Sequence, residues 1–452
     1  MLVDKKRFPN FAIQNFPIFK ISDMYIKKLL FSGLLATTTS FVFAQDIDKI
    51  INATEVERIE RILSSDEMQG RRTFSPGIDK AAVFIADEFK KAGLQPVNGK
   101  SYLQEFAMVS PKFISASGNF DNSPLDVKNI IVVTCQPSLS ITEKSGYEKI
   151  VIGAGKDLFT EARNFIRSGK NYIVVVDTSY SRNFGRLTGM KRQLFKMDNS
   201  VVFVLSLTNP EKFAIESKHE ITEQKLTNVV GILPGKKLKD EYVIFSGHYD
   251  HLGIGKPKAD GDSIYNGAND DAAGTTAVMM LAHYFASKKD NERTIIFAAF
   301  TAEEVGGFGS QYFSKQVSPV KVMAMFNIEM IGTESKWGKN SAYITGYEKT
   351  DMGAILQKNL EGTGFTFHPD PYPDQQLFYR SDNATLAKLG VPAHTISTSK
   401  MDSEPNYHKV SDEVETLDMN NMAMIIRAIA LSSKGLVQGK DSPTRVKVED
   451  LR

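Results

Sequence analysis

Two adjacent glutamates, Glu303 and Glu304, follow an unbroken apolar and β-branched run, Thr294 to Phe300, in the stretch ERTIIFAAFTAEEVGGFGS (292–310). Other polar residues stand in similar places. His248 and Asp250 follow YVIFSG (242–247), Glu329 follows VMAMFNI (322–328), and His408 lies in the loop beyond PAHTIST (392–398). Asp270 and Asp271 sit in GANDDAAG, just ahead of an apolar helical stretch from Thr275. Imidazoles mixed with carboxylates form a donor set for divalent metal. Zinc takes such ligands at about 2.0–2.2 Å, and a carboxylate can bridge two ions about 3.5–4 Å apart, the spacing of co-catalytic hydrolytic centres. Of two neighbouring glutamates, one can ligate while the other takes a proton from the attacking water. Neighbours on a regular strand point to opposite faces, so the pair belongs in a turn, and Gly306, Gly307 and Gly309 fit one. His248 and Asp250 are two apart and share a side on extended backbone. Asp250 can then accept the second ring N–H of His248 and fix its tautomer.

The elements that must position these groups read as alternating strands and helices. Short buried strands are expected at 227–232, 242–247, 294–300, 322–328 and 392–398, with helices at Ile78–Ala92 (stopping at Gly93), Thr275–Ser287 and Asn420–Ser433. This alternation implies an α/β domain around a mixed, largely parallel sheet covered on both faces. In such sheets the carboxyl ends of the strands share one edge, where sites form. The middle of the chain repeats the pattern separately, with strands at 129–134, 149–153, 172–177 and 200–206 and a helix at Asp157–Ser168, but carries none of the metal-type clusters. We read 111–224 as an inserted smaller α/β module, 45–110 with 225–433 as the main domain, and 434–452 as a loose polar tail.

Residues 24–45, MYIKKLLFSGLLATTTSFVFAQ, have a basic start at Lys27 and Lys28, an apolar stretch and a small-x-small end at Ala44. This is the pattern of a secretory signal peptide. Residues 1–44 are expected to be removed, and 1–23, which precede Met24, read as an extension from a misplaced start. The run is short for a span and diluted by Ser and Thr, so no membrane span is expected after cleavage. Export, to the periplasm or out of a bacterial cell, follows as an expectation. The full chain has 55 basic and 53 acidic residues, and losing six Lys/Arg and two Asp leaves 49 and 51, a formal charge of −2. That balance gives no case for a nucleic-acid partner. Cys135 is the only cysteine, which excludes an intrachain disulfide.

The segments SSDEMQGRRTFSPG, TNVVGILPG, YVIFSGHYDHLG, IYNGANDDAAG, TIIFAAFTAEEVGGFGS, FNIEMIG, FYRSDNATLAKLGVPA and NYHKVSD together resemble the M28 family of zinc metallopeptidases, which includes bacterial aminopeptidases. They span most of 54–110 and 226–433 and come in the family's order. The resemblance implies a three-layer α/β zinc-peptidase domain, with 111–224 where an apical or protease-associated module belongs. It also implies two zinc ions per chain. One would be held by His248 and Glu329, the other by Glu304 and His408, with Asp270 between them and Glu303 as general base. Peptides would be the substrates, most readily as for an aminopeptidase. A carboxypeptidase, a glutaminyl cyclase or a non-catalytic binding protein on the same fold are the alternatives. Many members have Asp where Glu329 stands, and often RSDH where this chain reads Arg380-Ser381-Asp382-Asn383.

Other residues leave alternatives open. His251 is either a further ligand or a wall of the site, and only the resemblance selects His248. Asp271 is a support for the site or a helix N-terminal charge. Asp412 either orients His408 or begins the last helical region. Tyr379 and Arg380 either touch substrate or form a structural loop pair. His283 and His394 read as structural. His219-Glu220 begins like HExxH but has Glu223 in place of the second histidine.

Overall fold

The computed structural model describes residues 47–258 and 261–451. The expected signal peptide lies outside the described residues. The chain divides into units 1–50 and 51–452, and the second holds the sheets.

Two helices open it, α1 (Ala53–Leu63) and α2 (Pro76–Ala92). Asn52 caps α1 by accepting from the Glu55 N–H, and α2 ends on Gly93 in the left-handed region (φ 82°), the usual glycine exit. A long strand follows, β1 (Leu103–Phe120). The smaller sheet then has β2 (Ile130–Val133), β3 (Glu148–Ile152), helix α3 (Leu158–Arg167), β4 (Tyr172–Val176) and β5 (Val201–Leu205). The return strand β6 (Phe213–Leu233) leads into β7 (Leu238–His248), α4 (Ala273–Lys288), β8 (Arg293–Phe300), α5 (Phe308–Ser314) and β9 (Val322–Ile328). The order closes with β10 (Ser341–Ile344), β11 (Thr366–Pro369), α6 (Asn383–Ala387), β12 (Ala393–Ser397) and α7 (Met419–Ser432).

The large sheet runs β11-β10-β12-β9-β7-β8-β6-β1. Its central strands β12, β9, β7 and β8 are parallel, while β10 and β6 join them antiparallel. This is the mixed, largely parallel sheet expected from the sequence. Each of three central strands contributes one phenylalanine at the same level. Phe245 pairs in register with Phe297 and Phe326, its ring stacks on both at 5.7 and 4.9 Å, and Phe285 of α4 closes over it at 5.5 Å. Burying such a ring is worth about 1.5–3 kcal/mol. Locking these strands at one level brings their carboxyl ends out together.

The smaller sheet, β2-β5-β4-β3, has apolar clusters on both faces. β1 and β6 form one antiparallel ribbon, from Leu103 opposite Val229 to Phe120 opposite Phe213. The sequence reading placed no strand at 103–120 and only a short one at 227–232. The middle of the ribbon, 112–118 and 220–225, is exposed or half-buried, so it lacks a buried-strand signature. The expected junctions, 110/111 and 224/225, fall inside this ribbon. The tail beyond 434 also differs from expectation. Leu436, Val437 and Val446 are buried, and the Arg293 guanidinium donates to the Leu436 and Asp441 carbonyls at 2.8 and 2.6 Å. Apolar burial and hydrogen bonds, among them those of Arg445 to the Val322 and Pro319 carbonyls, hold a segment that composition marks as polar. Among the described residues no helix is long and apolar enough to cross a membrane.

Candidate active site

Strand β7 ends at His248, β8 runs into Thr301 and the glutamate turn, and β9 runs into Glu329. The three arrive at one edge because β7 and β8 pair up to His248 opposite Phe300, and β7 and β9 up to Ser246 opposite Asn327. Asp270 and Asp271 precede α4 and are joined by a cis peptide bond. His408 comes in on the loop after β12.

Each expected ligand arrives at this edge. Potential ligand atoms of His248, Asp270 and Glu329 lie within 4.8 Å of one another, and so do those of His251, Asp270 and Glu304. His408 Nε2 is 3.2 Å from Glu304 Oε2 and 3.3 Å from Asp270 Oδ2. Asp270 is shared, as a bridging carboxylate would be. His251, open from the sequence as a further ligand or a wall of the site, has its Nδ1 2.8 Å from Glu304 Oε1. His248 Nε2 lies 3.2 Å from Asp270 Oδ1. These approaches are close but poorly aligned: His248 Nε2, His251 Nδ1, Glu304 Oε1 and Glu329 Oε2 are buried without a hydrogen-bond partner. Buried polar atoms are normally partnered. Orphaned imidazole and carboxylate atoms facing one small volume fit a divalent cation, and this donor set suits zinc.

The turn that carries the glutamates is built tightly. The Gly307 N–H donates to the Ala302 and Glu303 carbonyls, and Gly307 has a φ of 67°, where side chains are strained. Asp250 fixes this turn from below. Its carboxylate accepts the Glu303 N–H at 3.0 Å and the Glu304 N–H at 3.3 Å. Its Oδ1 is also 3.6 Å from His248 Nδ1, while the Asp250 carbonyl lies closer to that nitrogen, at 3.1 Å. The anticipated Asp250–His248 contact is therefore present, but the backbone carbonyl is the nearer partner.

Two other buried carboxylates hold backbone. Asp271 accepts the N–H groups of His248 at 3.1 Å and of Gly274 and Met330 at 3.0 Å. It thereby ties the ends of β7 and β9 to the start of α4. A Cβ on Gly274 would stand 2.1 Å from the Ile328 carbonyl, so only glycine permits this approach. Asp412 accepts the Asn269 N–H at 2.8 Å and the Asp270 N–H at 3.0 Å, clamping the loop that presents Asp270. The fully buried Arg71 joins the same region, donating to the carbonyls of Tyr249, Leu63, Asn266 and Gly267. Sequence reasoning assigned no such backbone role to Asp271, Asp412 or Arg71.

The electrostatics follow from burial. Burial lifts the Glu303 carboxyl well above the usual range; His248 opposes this, and Glu329, Asp382 and Asp250 add to it. Burial likewise raises Glu329 to about 7. Burial works against a charged His248, but Asp250 and Asp270 outweigh it and raise its pKa. Hydrogen bonds donated to Asp270 and Glu304 raise His408 to about 10.

A cleft open to solvent leads to Asp270, Glu303, Glu304, Glu329 and His408. Its other walls include Met330, Tyr343, Leu377, Met401, Tyr407 and Arg380. Of the expected loop pair, Arg380 lines the cleft, whereas Tyr379 packs on the core beside Phe378. His283 pairs with Glu88 at 3.0 Å, and His394 bonds Thr345 and Thr350 away from the site. His219 lies on the ribbon strand β6.

Residues 228–432 match peptidase family M28. This chain carries an M28 peptidase domain. Leucine aminopeptidase 1 of Trichoderma harzianum is 26% identical over 264 residues, covering 53% of this chain and 64% of the relative. A probable zinc metalloprotease of Pyrenophora teres f. teres is 34% identical over 123 residues, 27% of this chain and 26% of the relative. The chain thus spans less than two thirds of the length of these curated relatives. The zinc aminopeptidase of Bacillus subtilis has the same fold, with a TM-score of 0.52 at 16% identity over 89% of this chain and 99% of that one. The aminopeptidase of Aneurinibacillus sp. strain AM-1 aligns at a TM-score of 0.50 and 18% identity, over 90% and 98% of the two chains. Set on this M28 domain, the buried imidazoles and carboxylates occupy the cleft end of the shared strand edge.

Proposed function

We propose that this protein is an exported zinc aminopeptidase with a dinuclear site and a glutamate base. The observation that carries the reading is the sharing of Asp270 between two groups of buried, unpartnered ligand atoms, with Glu303 beside them at the cleft. His248 and Glu329 would hold one ion. Glu304 and His408 would hold the other, with Asp270 bridging, and His251 stands close enough to join the second group. Bound zinc supplies Lewis acidity toward the scissile carbonyl and its oxyanion.

The chain's own residues do the rest. Asp250, through the N–H groups of Glu303 and Glu304, sets the direction of both carboxylates. Glu303 takes a proton from the attacking water and delivers it to the departing amine. Its raised affinity for protons suits a group that must do both near neutral pH. Cleavage next to a free N-terminus is carried over from the aminopeptidases to which this chain is similar. Export rests on the pattern at residues 24–44.

The test compares wild type, Glu303→Gln and chelated protein on free and N-blocked peptides, with metal content measured on each. Expected are cleavage of free-N-terminus substrates only, about two zinc ions per wild-type chain, and a fall of about 10²–10⁴-fold in Glu303→Gln with zinc retained. Cleavage of blocked and free substrates alike, or full activity in Glu303→Gln, refutes the reading.

A further inference from the structure

Among the described residues, Arg380 is the only lysine or arginine lining a cleft that otherwise presents Asp270, Glu303, Glu304 and Glu329. Its backbone is fixed on both sides. The preceding turn is anchored by buried Leu377 and Phe378, and the Arg380 N–H donates to the Leu377 carbonyl at 3.0 Å. Beyond it, Ser381 Oγ accepts from Asn327 Nδ2 at 2.8 Å, and Asn383 Nδ2 donates to the Phe378 and Ala393 carbonyls at 3.0 and 3.3 Å. Asn383, which departs from the RSDH pattern, is thus a strut that secures the loop. The guanidinium is offered to solvent from a rigid base.

That guanidinium is nearly unengaged. Its one side-chain hydrogen bond, Nη1 to Gln375 Oε1 at 3.3 Å, goes to a neutral amide. Among the described residues no carboxylate pairs with it within 4.0 Å, although four line the same cleft. Tyr407 shares the cleft with it, its ring stacked on His408 at 4.0 Å. A planar fork of donors held this way suits a carboxylate, taken by two parallel hydrogen bonds. The molecule leaves that carboxylate to a ligand. Arg380 lines the same cleft as Asp270, Glu303, Glu304 and Glu329, so a carboxylate that reaches it lies close to the scissile bond.

We infer that Arg380 binds a carboxylate on the leaving side of the substrate, making short peptides that carry one there the preferred substrate class. The carboxylate is the C-terminus of a di- or tripeptide, or the side chain of an acidic residue after the scissile bond. This inference rests on the aminopeptidase reading and adds the recognition of the substrate's other end.

The test uses the full zinc-loaded chain. It measures kcat/KM for Leu-Ala, Leu-Ala amide, Leu-Glu amide and a leucyl anilide, in wild type, Arg380→Gln and Arg380→Lys. Wild type should prefer Leu-Ala over its amide by about tenfold to a hundredfold, the scale of a charge-assisted hydrogen bond. That ratio should fall toward one in Arg380→Gln and be partly restored in Arg380→Lys. A preference confined to Leu-Glu amide and lost in Arg380→Gln supports the carboxylate site and assigns it to an acidic side chain. Equal rates on acid, amide and anilide, or a ratio untouched by Arg380→Gln, overturn the inference while leaving the aminopeptidase standing. Cleavage of none of the four overturns both.

Discussion

Replacing Asp412 tests whether the loop presenting Asp270 is held by a carboxylate clamp. Asp412 is buried, and its two oxygens accept the N–H groups of Asn269 and Asp270 at 2.8 and 3.0 Å. Asp412→Ala leaves both donors buried without an acceptor. Each such loss costs about 1–3 kcal/mol, so roughly 2–6 kcal/mol of stability should go. Asp412→Asn keeps one acceptor and turns an amino group toward the other N–H, and should lose about half as much. The freed loop misplaces Asp270, so zinc affinity should fall by about 10–100-fold, as for other groups that orient ligands. Urea unfolding of chelated protein isolates the folding effect, and zinc titration of folded protein measures the second. A chelated Asp412→Ala within about 0.5 kcal/mol of wild type, with unchanged zinc affinity, would refute the clamp.

Zinc should stabilise the protein more as pH rises from about 5 to 8. Burial lifts Glu329 to about 7 and Asp382 and Asp412 to about 6; the metal-free fold therefore holds protons that the unfolded chain releases near pH 4, and rising pH destabilises it. A zinc-induced rise in melting temperature that ignores pH would contradict this. Glu60, raised to about 8 by burial and accepting from Thr276 at 2.8 Å, should tolerate Glu60→Gln within about 1 kcal/mol, whereas Glu60→Ala should cost about 2–4 kcal/mol; equal losses by urea unfolding would show that the group is not held neutral. Burial opposes charge on Glu88, but hydrogen bonds from His283, Arg58 and Lys91 hold its carboxyl below the usual range. Its stabilisation is therefore present above about pH 4.5 and lost below, so Glu88→Gln should destabilise at pH 7 and converge with wild type in acid melts.

What the sequence revealed, and what it hid, divides along a physical line. The central strands were legible because buried parallel strands are continuous apolar runs, and the polar residues closing those runs mark the site edge. Hence His248, Glu303, Glu304 and Glu329 could be placed before any coordinates. The ribbon β1–β6 was not legible as a whole, since its middle, 112–118 and 220–225, is exposed or half-buried and its partners are far apart in sequence, as with Glu105 opposite Thr227. The supporting carboxylates were hidden for a different reason. Asp412 acts on N–H groups 142 and 143 residues earlier, and Asp271 reaches Met330, 59 residues on. Their partners are main-chain atoms, which every residue possesses, so no pattern of residue types betrays them. The Asp-Asp pair before α4 shows the result: one aspartate faces the ligand atoms while its neighbour binds backbone. Chemical identity is the same for both, and only the packing of β7, β9 and α4 around Asp271 separates their roles.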